Sequence, residues 1–91
     1  MSPEVLEHAM NEYVIALKSQ VNVAKAFFAG ELEKGLEGLL ALPEDIRLKI
    51  DQLVWEASGG QAIDPTEEGS QKLIAAAVMH SVEERMGLLN D

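Results

Sequence analysis

Apolar positions recur along most of this chain at steps of three and four, the spacing of residues that share one side of an α-helix. From Pro3, such a stripe runs through Leu6, Met10, Tyr13, Leu17, Val21, Ala24 and Phe28. It predicts a helix reaching about Gly30, roughly 40 Å long at 1.5 Å per residue. Leu32, Leu36, Leu39 and Leu40 keep the period, but Gly30, Gly35 and Gly38 weaken it, so 31–41 reads as a short separate helix or a kinked extension. From Pro43, a clean stripe of Ile46, Ile50, Leu53, Val54 and Ala57 is closed by Gly59 and Gly60. From Pro65, a last stripe runs through Ile74, Ala75, Val78, Met79, Val82, Met86 and Leu89.

The three prolines mark the starts of these helices, because a missing N–H costs nothing in a first turn. Ser2 and Asp64 precede two of them as N-cap residues, and Asp64 with Glu67 has capping-box spacing. The evident loop is "SGGQAID", residues 58–64. No segment alternates with period two, so no sheet is expected. The fold class is all-α: one domain over 1–91, a small bundle of three main helices or four.

Charge refines this plan. Sixteen acids against seven bases give a net charge of −9. The helix after Tyr13 carries only Lys18 and Lys25 as far as Gly30. The acids concentrate in the middle of the chain, at Glu31, Glu33, Glu37, Glu44, Asp45, Asp51, Glu56, Asp64, Glu67 and Glu68. Direct binding to nucleic acid is disfavoured, because that affinity comes from Lys and Arg displacing counterions. The charge serves solubility, and it also suits a protein partner with a basic surface. The N-terminus has no basic cluster and does not read as a secretory signal. The apolar run "YVIALKSQVNVAKAFFAG" is broken by Lys18, Gln20, Asn22 and Lys25 and does not read as a membrane span. The absence of cysteine excludes disulfides and fits a cytoplasmic protein.

Candidate chemistry adds little. Ser19, Ser58, Ser70, Ser81 and Thr66 lie in no recognised nucleophile context with His8 or His80. "EASGGQAID" lacks the Lys-Ser or Lys-Thr that completes a phosphate-cradling loop. His8 with Glu12 and His80 with Glu84 have metal-ligand spacing, but each pair sits opposite its helix's apolar stripe. Neither an enzyme, a metal nor a cofactor is expected. Met10, Met79 and Met86 fall on the stripes and read as core packing.

Trp55 is the residue that stands apart. It lies in line with Leu48, opposite the Ile46–Ile50–Leu53 stripe of the same helix, flanked by Glu44 and Asp51. An apolar pair rimmed by acids fits a partner-binding surface, in which tryptophan is enriched. Two other readings stay open: a central helix buried on both faces, and a self-association surface. Ile15, Val23, Ala26 and Phe27 lie off the stripe of the first helix, so that helix is apolar over more than half its circumference. This favours a homodimer as an alternative, since so few helices cannot easily enclose it.

"AFFAGELEKGLEGLLALPEDIRLKIDQLVWEA", followed by "DPTEEG" and a final amphipathic helix, resembles the colicin D-like group of bacterial immunity proteins over about residues 26–89. That resemblance implies a small acidic helical bundle that covers the basic active site of a nuclease toxin, with carboxylates in place of RNA phosphates. Gly35 and Leu36 stand where a larger aromatic anchor is expected, and the loop after Trp55 is poor in acids before Asp64. No individual contact residue therefore carries over. The expectation is a small acidic non-enzymatic protein that binds a partner macromolecule, as regulator or inhibitor. Its alternatives are an immunity-type or nucleic-acid-mimicking inhibitor and a homodimeric assembly protein.

Overall fold

The computed structural model describes the backbone of residues 2–90 and the side chains of residues 2–87. Among the described residues four helices form: α1 (Pro3–Phe28), α2 (Leu32–Ala41), α3 (Glu44–Ala57) and α4 (Glu68–Asn90). There is no strand among the described residues. Among the described residues, no helix is long and apolar enough to cross a membrane.

Local chemistry sets the boundaries. Ser2 Oγ accepts from the Val5 N–H at 3.3 Å, capping α1. α1 ends in a Schellman turn: Gly30 has φ 77°, its N–H donates to the Phe27 carbonyl, and the Glu31 N–H donates to Ala26. This turn separates α2 from α1 and folds it back. The capping box expected at Asp64 is not formed. Asp64 Oδ1 instead accepts from both the Thr66 hydroxyl at 2.7 Å and the Thr66 N–H at 3.0 Å. The chain therefore turns once more and α4 begins at Glu68, three residues beyond Pro65. Gln71, buried under this turn, donates to the Pro65 carbonyl at 3.0 Å.

α1 and α4 run antiparallel and form one layer; α2 packs on α1 and α3 on α4, both on the same side of that pair. The core lies between the layers, with Val23, Ala24 and Phe27 of α1, Leu42, Ile46 and Ile50 around the α2–α3 junction, and Ile74, Ala75 and Val78 of α4. Two glycines let α2 approach closely. A Cβ added at Gly38 would lie 2.8 Å from Val23 Cγ2, and one at Gly35 would lie 3.0 Å from the Phe27 ring.

The buried side of α1 differs from the apolar stripe expected for it. Phe27 is 1% exposed and Phe28 55%; Val23 and Ala26 are buried, while Leu6 and Met10 are half-exposed. The cause is Gln20. It is completely buried, donating from Nε2 to Ser81 Oγ at 3.1 Å and accepting at Oε1 from Arg85 Nη1 at 3.2 Å. A polar side chain with both ends satisfied occupies the core position that an apolar stripe assigns to Val21. Met86 is likewise half-exposed rather than core, and Ala57 is exposed. The expected place of Leu89 in the core lies outside the described side chains.

The molecule is long for its size. Its radius of gyration is 14.2 Å and its extents are 47 × 24 × 19 Å, against about 12 Å for a compact chain of this length. α1 accounts for the excess. The Gln20–Ser81 pair and the Tyr13 hydroxyl, which donates to the Arg85 carbonyl, set the level of the antiparallel helices. At that level the first two turns of α1 extend past the end of α4.

Candidate partner-binding surface

α3 presents Ile46 and Ile50 inward, both buried, with Leu53 and Val54 half-buried beside them. About half a turn away, Leu48 is 58% exposed and Trp55 57%. The reading of α3 as a helix buried on both faces therefore fails for the single chain. Glu44 and Asp51 are exposed on the same side, and neither makes an ion pair among the described residues. The structure thus brings the four residues expected to act together onto one solvent-facing strip.

The strip is held rigidly at its C-terminal end. α3 closes with a second Schellman turn: Gly59 has φ 72°, its N–H donates to the Glu56 carbonyl, and the Gly60 N–H donates to Trp55 at 2.8 Å. Ser58 Oγ bonds the carbonyls of Trp55 at 3.0 Å and Gln61 at 2.7 Å. The indole lies along Gly60, where an added Cβ would stand 3.5 Å from Cζ2. One edge of Trp55 rests on the turn and the rest of the ring faces water. A half-supported aromatic loses little side-chain entropy on binding, which favours it as an anchor.

All ten acids of the middle of the chain are exposed, from Glu31 to Glu68. Among them Glu31 pairs with Lys34 at 3.6 Å and Glu68 with Lys72 at 3.3 Å. Asp64 is held below the ordinary carboxylate range, first by the Thr66 hydroxyl and then by the Thr66 backbone N–H.

Sequence reasoning did not see the polar network between α1 and α4. The Arg85 guanidinium lies 5.4 Å from the Tyr13 ring centroid and bonds Gln20. It sits at one wall of a groove of about 660 Å³ whose far wall is the α2–α3 junction, with Glu12 and Asp45 also lining it. One N–H of this guanidinium and the Tyr13 hydroxyl are bonded across the α1–α4 seam, and the two carboxylates oppose an anionic ligand. His8 bonds Glu12 at 3.1 Å and His80 bonds Glu84 at 3.2 Å, each along its own exposed helix face. No group of three His, Cys, Asp or Glu with metal-ligand placement occurs among the described residues.

Comparison with protein-family models, with curated proteins and with solved structures finds no match to this chain.

Proposed function

We propose that the protein acts without catalysis, by docking a partner protein on the outer face of α3. The observation that carries this reading is the exposure of Trp55 and Leu48 together, in line and between unpaired Glu44 and Asp51. Burying such a tryptophan contributes on the order of 2 kcal/mol or more when it is the centre of a contact. The acid rim selects a basic partner surface and speeds encounter. A second reading, inhibition of a nucleic-acid-binding protein or nuclease in the manner of immunity proteins, is favoured by the ten exposed acids of the middle of the chain. Both readings place a basic partner on the α2–α3 side, in the cytoplasm.

The test compares the wild type, Trp55→Ala and Leu48→Ala as immobilised baits for cell extract at low and moderate salt. The expected result is a basic protein retained by the wild type, lost from both variants, and weakened as salt rises. If every retained protein is held equally by the variants, or if the variants lose stability as core truncations do, the α3 surface is not the contact. Inhibition of a purified nuclease by the released partner complex separates the second reading from the first.

A further inference from the structure

The α1–α4 layer has two sides, and only one is covered. α2 and α3 lie on the first. On the second, Met10, Val14 and Phe28 of α1 and Met86 of α4 are each about half-exposed, with Leu17 and Val21 half-buried between them. Val14, Leu17 and Val21 meet Val82 and Met86 there in a shallow groove of about 340 Å³, edged by Lys18 and Lys25. We infer that this open side of the α1–α4 layer is covered by the same side of a second copy of the chain, making an antiparallel four-helix core with α2 and α3 outermost on each copy. This goes beyond the α3 surface and does not depend on it.

Charge points to a second copy. A two-fold axis parallel to the helices lays α1 of one copy over α4 of the other without changing any residue's level. Lys18 lies two residues before Gln20, and Glu83 two residues after Ser81. Because α1 and α4 are antiparallel and Gln20 bonds Ser81, these two steps run the same way along the molecule. Lys18 of each copy therefore arrives beside Glu83 of the other, on the outer rim of the joint face. Lys18, Lys25 and Glu83 are all exposed and make no ion pair among the described residues. The rim thus pairs Lys18 of each copy with Glu83 of the other, while Lys72 on the same stripe of α4 is already held by Glu68. By the Gln20–Ser81 register, α1 and α4 lie side by side over about 25 Å, so their joint face, about 20 Å wide, offers roughly 500 Å² per copy. That is the size of a weak, concentration-dependent association.

The experiment is sedimentation equilibrium from about 1 to about 500 μM on the wild type, Val14→Glu, Lys18→Glu, Glu83→Lys and the Lys18→Glu/Glu83→Lys pair, with helicity followed by circular dichroism. The expected result is a wild-type dimer, a monomeric Val14→Glu of unchanged helicity, and dissociation constants raised roughly three- to tenfold in each charge variant. The charge-swapped pair restores the wild-type value. Val14 is half-exposed in the single chain, so its substitution reports on association and not on folding. A wild type that stays monomeric throughout, as it would if a different protein covers this side, overturns the inference. So does a dimer that survives Val14→Glu, or a swapped pair no tighter than its parents. Trp55→Ala leaves the dimer intact, so failure here and failure of the α3 reading are told apart.

Discussion

The two halves of α1 carry the same pattern and meet different fates. Leu6, Met10 and Tyr13 continue, at steps of four and three, the line taken up by Leu17, Gln20, Ala24 and Phe27. The C-terminal half is buried between α2 and α4, with Phe27 1% exposed; in the N-terminal half, Leu6 and Met10 are half-exposed. No property of the stripe itself distinguishes the halves. What distinguishes them is reach: α2 folds back only over the last turns of α1, and α4 ends about two turns short of its start. Periodicity states which side of a helix seeks cover, and the lengths of its neighbours decide where cover exists.

The contrast is broken most directly at the adjacent pair Phe27 and Phe28. Phe27→Ala is expected to cost about 3–5 kcal/mol, a large part of the ~5–15 kcal/mol that holds a domain together. Phe28→Ala is expected to change stability by about 0.5 kcal/mol or less at concentrations where the chain is monomeric. Urea denaturation of both variants measures the difference, and equal losses would place both rings in one core.

A smaller effect tests why the C-terminal half is covered at all. In Gly38→Ala the new methyl meets Val23, whose β-branched side chain has little freedom to move. A cost of about 1–3 kcal/mol from overpacking then outweighs the ~1 kcal/mol that alanine contributes to a helix. Gly87→Ala, with nothing within 4 Å of the added atom, is expected to stabilise α4 by up to about 1 kcal/mol. Thermal melts of the two variants should therefore shift in opposite directions.

The smallest effect concerns the turn that brings α4 back over α1. The Asp64 carboxyl titrates below its unfolded value because Thr66 bonds its ionised form. Its contribution is present above the unfolded pKa near 3.8 and is lost as pH falls through the lower folded value. Asp64→Asn is expected to remove that acid-limb dependence and to lower stability at neutral pH slightly, toward the level the wild type has in acid. A stability–pH curve on both proteins checks it.

Much of the fold was legible in the residues. Pro3 with Ser2, the Gly30 break, and the Gly59–Gly60 close all appear where the punctuation of the chain places them. Leu48 and Trp55 face water, which their opposition to Ile46 and Ile50 allowed but did not decide, since a helix buried on both faces has the same pattern. The register of α1 was not legible, because its buried centre is a glutamine whose partners, Ser81 and Arg85, lie more than sixty residues away. The start of α4 was missed for a related reason: Thr66 competes with the helix for Asp64, and local spacing does not say which wins. The open side of the α1–α4 layer was beyond pattern alone, since its residues were those that the stripe assigned to the core.

The arrangement of α4 has a consequence for how the chain is made. α4 touches both α1 and α3, and it supplies the middle of the core through Ile74, Ala75 and Val78. Yet it is synthesised after both of the helices it touches. Until it emerges, α1 and α2 can close only as a local hairpin, and α3 has little to rest on. The unfinished chain then shows Phe27, Ile46 and Ile50 to the surrounding medium for the several seconds that translation of a further helix takes. During that interval the net charge of −9 works against contact between neighbouring nascent copies, since like charges repel.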